Sequence, residues 1–270
     1  MSKQKLGPRH INLEEILSAK YPNGVPKWLT WTLGKIMRVG VLNEYINHTE
    51  HDGWRFSKEV MKQMRINVEV EGLENVPADG TLYTFASNHP LGGADGIILS
   101  GIIGEKFGDI AVPVNDFLMA IKPMRTMWIP INKVGGQARE LAGMLDEAFK
   151  SNKQMLIFPA GLCSRIIDGR IQDIAWTKTF ITKSKSTGRA IVPVHFEGRN
   201  SGLFYRTAQL CKKLGIKFNL AMILLPSEFV KASGKTFKVK FGKPIPPEKL
   251  DSSRTPAEWA AEIRNQVYNL

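Results

Sequence analysis

The pattern of apolar and polar residues changes near residue 65 and divides this chain into two parts. From Ile66 onward, runs with strand character recur between segments whose apolar residues have helical spacing. The strand-like runs are INVEVEG, TLYTFAS, DIAVPV, TMWIPIN, QMLIFPA, AIVPVHFEG, FNLAMILLP and KTFKVKFGKP. Strands that alternate with helices predict an α/β fold, with a layered, mainly parallel or mixed sheet flanked by helices.

Helical spacing is found in GIILSGIIGEKF, GGQARELAGMLDEAFKSN, IAWTKTFITKSKST and SRTPAEWAAEIRNQV. In the last of these, Thr255 is placed to cap the helix and Pro256 to occupy its first position. The sequence therefore predicts that a capped helix closes the chain.

The first 64 residues have a different character. VPKWLTWTLGKIMRVGVLNEYI predicts one amphipathic helix, with Trp28 and Leu33 on the apolar side and Lys35 and Arg38 opposite. Two interpretations are open: the helix lies in a membrane interface, as Trp beside basic residues favours, or it packs on the main domain. We therefore divide the chain into residues 1–64, a helical membrane-surface or docking segment, and residues 65–270, an α/β domain.

The charge, the cysteines and the apolar runs predict the partners and the cellular location. The net charge of +12 predicts an anionic partner, namely nucleic acid, an anionic membrane or an acidic protein. Two cysteines, Cys163 and Cys211, fit neither a disulfide framework nor zinc spacing and suit a reducing cytosol. The chain contains no signal-peptide pattern and no apolar run of about 18 residues that could span a membrane. If this protein acts on lipid, we expect it on the membrane surface.

The stretch SNHPLGGADG, from Ser87 to Gly96, directly follows an apolar run. Ligands of such sheets bind outside the carboxyl ends of strands, so chemistry is expected here. Pro90 favours an extended His89, and Gly92 and Gly93 permit a tight turn.

Asp95 is expected at the start of the next helix, where it can serve as the N-cap. The turn would also fold its carboxylate onto the His89 imidazole, which fixes the ring tautomer and makes His89 a general base aimed at a hydroxyl. The alternative is that Asp95 only caps the helix and His89 is only a turn residue. No Ser or Cys lies in a nucleophile-elbow pattern nearby, so a covalent intermediate is not predicted.

A second stretch, IFPAGLCSR, also follows a buried run. Gly161 allows the backbone to approach a ligand, Ser164 offers a hydroxyl, and Arg165 offers a fork for phosphate or carboxylate. The alternative is an ordinary turn with a solvated arginine. Two such turns at one sheet edge favour a site.

Together these residues resemble the glycerolipid acyltransferases, the enzymes similar to lysophosphatidic acid acyltransferase. That family has four blocks in order, and their counterparts here are NHPLGGAD, WIPINK, FPAGLCS and AIVPV. The resemblance covers residues from about 66 to 243, and FEGRNSGLF is similar to the hemolysin-like branch of the family.

Three positions depart from the family pattern. Five residues separate His89 from Asp95, where the family usually has four. Lys133 stands at an Arg position, and Ala160 replaces the Glu of the third block. The last two changes affect the region that the family uses for a glycerol-phosphate acceptor. The resemblance and these departures therefore imply one of two acceptors, lysophosphatidic acid or a lyso-aminolipid, such as a lyso-ornithine or lyso-glycine lipid.

The resemblance implies an O-acyltransferase of membrane lipid biosynthesis. His89 and Asp95 would be catalytic, transferring the acyl group from acyl carrier protein or coenzyme A to a lyso-lipid hydroxyl, without a cofactor or metal. The residues implied in substrate binding are Asn88, Arg125, Lys133, Gly161, Ser164 and Arg165. The expected partners are an anionic membrane surface, the lyso-lipid and the thioester donor, and the expected location is cytoplasmic, peripheral on the inner face of the cell membrane.

Three other classes of protein fit part of this sequence. A nucleic-acid-binding module fits the basic charge, but no recognised motif supports it, so no nucleic-acid partner is predicted. An inactive lipid-binding member of the same fold is the main alternative, because the motifs depart from the family pattern. An α/β hydrolase would need a nucleophile elbow, which the chain lacks.

Overall fold

The computed structural model describes residues 9–21, 24–131, 138–216 and 220–270. Within these ranges, seven strands form one sheet in the order β1-β9-β8-β2-β5-β3-β4. Neighbouring strands are parallel except for the antiparallel pair β8–β9, and β6 and β7 form a separate hairpin. The strands are β1 Asn67–Glu71, β2 Tyr83–Ser87, β3 Ile110–Asn115, β4 Trp128–Ile131, β5 Gln154–Ile157, β6 Arg165–Ile167, β7 Arg170–Gln172, β8 Ala190–Glu197 and β9 Thr236–Phe241.

Helices cover both faces of this sheet. They are α1 Leu13–Lys20, α2 Lys27–Ile36, α3 Val39–Asn47, α4 Gly53–Gln63, α5 Ala94–Phe107, α6 Ala138–Lys150, α7 Thr179–Ser186, α8 Gly202–Lys213, α9 Leu225–Val230 and α10 Pro256–Tyr268. Along β2, Phe85 faces the core built with α4 and α5, whereas the next residue, Ala86, faces α7 and α10. The predicted α/β class, a mainly parallel sheet flanked by helices, is confirmed.

The closing helix is capped as predicted. Thr255 accepts a hydrogen bond from the Glu258 N–H, and the Glu258 side chain accepts one from the Thr255 N–H, which makes a capping box. Pro256 occupies the first helical position.

The N-terminal amphipathic segment forms two helices rather than the single helix predicted. Arg38 adopts a left-handed conformation with φ of 54° between α2 and α3, which interrupts the helical hydrogen-bond ladder. The break turns α3 so that Ile46 enters the main core. Trp28 and Trp31 on α2 remain 69% and 68% exposed. No helix in the described part of the chain is both long and apolar enough to cross a membrane.

One predicted strand is wrong. In FNLAMILLP, the described residues form a 3-10 turn, Leu220–Leu224, followed by α9. Pro226 lies in the first turn of α9, where its missing N–H costs nothing. A short apolar run fits a buried strand and a buried helical segment equally well, so the period could not distinguish them. The hairpin β6–β7 and helix α8 were also not anticipated.

Candidate active site

The turn after β2 brings a histidine and a buried carboxylate together at the carboxyl edge of the sheet. His89 Nδ1 lies 3.0 Å from Asp95 Oδ2. The main-chain N–H groups of Leu91 and Gly92 donate to the same oxygen at 2.8 and 3.2 Å, and Gly96 N–H donates to Oδ1 at 2.9 Å. Asp95 is thus fully buried but well supplied with donors, as a buried carboxylate requires.

This arrangement selects one tautomer of His89. An ionised carboxylate only accepts hydrogen bonds, so Nδ1 carries the proton that points to Asp95. In the neutral ring Nε2 is then the basic nitrogen. The ring also stacks on Phe158, with centroids 4.0 Å apart and planes at 28°, which fixes its orientation. The His89 side chain is 17% exposed, so it is reachable from outside.

The two groups shift each other's ionisation. Burial by itself would lower the pKa of His89, but the charge and hydrogen bond of Asp95 outweigh it and raise the pKa above its ordinary value of 6.5. Burial by itself would raise the pKa of Asp95, yet His89 and the main-chain donors hold that pKa below its ordinary value. Asp95 therefore stays ionised, and His89 is a stronger base than a free imidazole.

Two glycines accommodate the additional residue between His89 and Asp95. Gly92 has a left-handed φ of +73°, and a Cβ on it would lie 2.9 Å from Cys163 Cβ. Gly93, and not Asp95, is the N-cap of α5, so the expectation that Asp95 caps this helix is wrong. Asp95 lies in the first turn of α5 instead. Its carboxylate accepts hydrogen bonds from His89 and from the main-chain N–H groups of the preceding loop.

The second turn, after β5, joins the first through the main chain. Ser164 N–H donates to the His89 carbonyl oxygen at 2.7 Å. Gly161 lies in this turn with φ of +66°, and its N–H donates to the Phe158 carbonyl at 2.9 Å. The turn is therefore positioned against the histidine backbone.

A buried carboxylate that the sequence analysis missed connects the two turns. Asp173, at the end of the β6–β7 hairpin, accepts hydrogen bonds from Ser164 Oγ at 2.6 Å and from His89 N–H at 3.3 Å. Its other oxygen accepts from Trp176 Nε1 at 2.9 Å. In sequence it lies 84 residues from His89 in an unrecognised hairpin, so only the tertiary structure reveals its role.

The other predicted binding residues differ in their placement. Asn88 is buried and bonds to the main chain of Phe196 through both its amide oxygen and its amide nitrogen, at 2.7 and 3.0 Å, so it ties β2 to β8. Ser164 is buried and donates its hydroxyl to Asp173. Arg165 bonds to the Cys163 carbonyl at 2.6 Å and lies over the Phe204 ring.

Arg125 is not brought to this site. It lies in the turn that precedes β4, at the amino end of that strand, whereas His89 follows the carboxyl end of β2. Its Nε donates to the Met119 carbonyl at 2.7 Å. Lys133 lies outside the described residues. Among the residues that the structure describes, no three His, Cys, Asp or Glu side chains are grouped as a metal site requires.

A family model described as Acyltransferase matches residues 16–270. The chain belongs to the acyltransferase family. It is 45% identical over 265 residues to a lyso-glycine lipid O-acyltransferase of Bacteroides thetaiotaomicron, covering 96% of this chain and 97% of that protein. It is 43% identical to a lyso-glycine lipid O-acyltransferase of Phocaeicola vulgatus, covering 96% and 95%. These matches span nearly the whole chain, so it is an acyltransferase.

A solved structure is also similar to this acyltransferase. It is the 1-acyl-sn-glycerophosphate acyltransferase PlsC of Thermotoga maritima, with a TM-score of 0.49 and 17% identity, covering 94% of this chain and 86% of that one.

Ala160, at the family's Glu position, is buried in the acyltransferase. Its side chain packs in a cluster with Trp176 and Phe180 beneath the second turn. A Glu in this apolar cluster would bury an uncompensated carboxylate. The replacement by Ala is therefore consistent with the packing of this chain, and it removes one acidic group from the edge where His89 lies.

Proposed function

We propose that this acyltransferase moves a fatty acyl group from a thioester donor to the hydroxyl of a lyso-lipid, and that the acceptor is a lyso-glycine lipid. The observation that carries the chemistry is the hydrogen bond between His89 Nδ1 and the buried Asp95, which leaves Nε2 as the base. The acceptor is supported by the two relatives with more than 40% identity, both described as lyso-glycine lipid O-acyltransferases.

The proposed reaction is a direct transfer. Nε2 of neutral His89 accepts the proton of the acceptor hydroxyl while the hydroxyl oxygen attacks the thioester carbonyl carbon. The new C–O ester bond forms, the C–S bond breaks, and the sulfur leaves as a thiol after it takes the proton from His89. General-base assistance of this kind contributes a roughly hundred- to ten-thousandfold rate increase. Asp95 holds the ring in place and stabilises the imidazolium that forms between the two proton transfers.

Two features support a lyso-aminolipid in preference to lysophosphatidic acid. The family's glycerol-phosphate region departs at Lys133 and Ala160, as the sequence indicated. Arg125, a further residue predicted to bind the substrate, precedes the amino end of β4, whereas His89 follows the carboxyl end of β2. Arg165 lies close enough to the pair for its charge to act on the pKa of His89, and its guanidinium supports binding of a carboxylate such as that of a glycine head group.

The donor and the location belong to the same proposal. Acyl carrier protein, which is acidic, and coenzyme A, which carries phosphates, both suit a protein with a net charge of +12. The exposed Trp28 and Trp31 beside Lys27 and Lys35 on α2 support contact with an anionic membrane. We expect a peripheral protein on the cytoplasmic face of the cell membrane, and the proposed reaction requires no metal or cofactor.

The test is product analysis with purified protein and a matched pair of acceptors. Wild type and His89→Ala are incubated with acyl carrier protein and coenzyme A thioesters, each with lyso-glycine lipid or lysophosphatidic acid, and products are identified by mass spectrometry. A diacylated glycine lipid that is formed by wild type and lost in the variant would support the proposal. A product only with lysophosphatidic acid would overturn the acceptor. Lyso-lipid binding without any product would favour the inactive lipid-binding alternative.

A further inference from the structure

Helix α8, which the sequence analysis did not predict, carries an exposed leucine stripe, defined here as Leu203, Leu210 and Leu214. Their side chains are 58%, 55% and 62% exposed. At about 100° per residue, these three positions lie within about 40° of one another around the helix, although Leu214 is the residue that ends it. Three half-exposed leucines in one line form an apolar face that the described part of the chain leaves uncovered.

The buried side of α8 adjoins the leucine stripe, about 100° around the helix from Leu203, and packs near the active site. Phe204 is fully buried and lies under the Arg165 guanidinium, 5.4 Å from it. Asn200, just before the helix, donates from Nδ2 to the carbonyl oxygens of Pro90 and Leu91 in the histidine turn, both at 3.3 Å. The same helix therefore contacts the catalytic turn through its N-terminal end and exposes the leucine stripe beside that buried side.

The charges around the stripe are of one sign. Within its own sequence, α8 contains three basic residues and no acidic residue. Arg206 and Lys213 are exposed and flank the stripe on one side, whereas the third basic residue, Lys212, lies on the other side of the helix. Apolar residues at the interface with basic residues beside them are the pattern of a helix that lies in an anionic lipid surface. A second copy of this chain would instead bring like charges together.

The neighbouring turn, Leu220–Leu224, also exposes apolar side chains. The turn Leu220–Leu224 packs against α8 and also against α2, which carries the exposed Trp28 and Trp31. Leu220 and Met222 in that turn are each 40% exposed. Two separate helices with exposed apolar side chains and basic neighbours thus border one common segment.

We infer that the leucine stripe of α8 is a second membrane-docking surface, which enters an anionic bilayer and presents the His89 turn to the lipid interface. The inference rests on the proposed function insofar as the acceptor is a membrane lipid. An interfacial helix lies about 5–10 Å deep, near the level of a lyso-lipid's head group and free hydroxyl. The acceptor could then reach His89 without leaving the membrane entirely.

The experiment measures vesicle binding separately from catalysis. Wild type, Leu210→Ser/Leu214→Ser and the control Val70→Ser/Met144→Ser are floated with vesicles of phosphatidylcholine, with or without phosphatidylglycerol. Val70 and Met144 are exposed apolar residues on β1 and α6. We expect the α8 variant to lose at least about tenfold in partitioning to the anionic vesicles, and the control to bind like wild type. Acyl transfer to lyso-lipid dispersed in detergent should change less than about twofold in both variants.

The vesicle-binding result can be interpreted separately from the test of the proposed function. Vesicle binding that falls only in the α8 variant supports the surface, whether or not any lyso-lipid is acylated. Unchanged binding of the α8 variant overturns it. A concentration-dependent dimer that is lost in the α8 variant, together with wild-type vesicle binding, would assign the stripe to a second copy and also overturn it.

Discussion

The carboxyl and amino edges of the sheet both bury charged side chains, but the partners of those charges differ. At the carboxyl edge Asp95 bonds to main-chain N–H groups and to His89, a ring that can change its protonation. At the amino edge the fully buried guanidinium of Arg189 donates to main-chain oxygens of Phe149, Ser151 and Lys153, at 2.6–2.8 Å.

The two buried charges have different roles, because Arg189 is structural and Asp95 acts on the ionisation of the catalytic histidine. Burial lowers the pKa of Arg189 to about 10, yet its partners are carbonyl groups that do not titrate. It joins the end of α6 to the starts of β5 and β8 and stabilises the fold. Asp95 is equally buried, but one of its partners is partly exposed and basic. Burial and a shifted pKa therefore indicate a reactive site only where a titratable partner can reach a substrate.

The largest effect is expected for His89→Ala. The rate constant kcat should fall roughly a hundred- to ten-thousandfold because the base is removed. The Tm should change little, since Asp95 keeps its three main-chain donors. Steady-state kinetics and thermal unfolding measure the two quantities. His48→Ala, at the exposed end of α3, is the matched control, and a well-folded His89→Ala with near-normal kcat would contradict the role of His89.

Arg189→Met should lower the stability and leave the rate nearly unchanged, which is the reverse of His89→Ala. Several buried carbonyl oxygens would lose their donor, so the free energy of unfolding should fall by about 3 kcal/mol or more. Activity per folded molecule should persist at low temperature, because Arg189 lies at the other edge from His89. Urea unfolding measures the change, with Lys185→Met on the exposed side of α7 as a control for lost charge. Equal stability of the two variants would mean that the guanidinium contributes little.

Gly92→Ala should have an intermediate effect on both stability and rate. The new Cβ would meet Cys163 and Leu225 within about 3 Å and would require a left-handed φ. We expect a loss of about 1–3 kcal/mol in unfolding free energy and a lower kcat, as the turn shifts His89. Gly93→Ala is the control, since a Cβ there has nothing within 4 Å. Similar losses in both variants would argue against a requirement specific to Gly92.

The smallest effect is expected for Asp173→Asn, measured as a pH profile. The base must be neutral, so kcat/KM of wild type should rise with pH through the His89 pKa, with a midpoint above 6.5. Asp95 and Asp173 raise this pKa and Arg165 lowers it. Removing the Asp173 charge should therefore move the midpoint to lower pH, with plateau rates within about tenfold of wild type. If the midpoint of the pH profile does not move, Asp173 has only a structural role.

Much of the fold could be predicted from periodicity, because strands and helices differ in the spacing of their buried residues. The strands β1, β2, β8 and β9 were predicted in this way, and the residue types of Thr255 and Pro256 predicted the start of α10. The failures occur where the local pattern is ambiguous. The run around Leu220 is apolar throughout, and the break at Arg38 depends on how α3 packs on the core.

The sequence by itself determined that a histidine follows a buried strand and that an aspartate begins the next helix close behind it, since only a few residues separate them and two of these are glycines. The tertiary structure alone decided which distant groups complete the site. It places Asp173 against Ser164 and the His89 backbone, keeps Arg125 at the other edge, and positions α8 beside the turn. These contacts depend on sheet order and hairpin docking, which bring together residues that no local spacing relates.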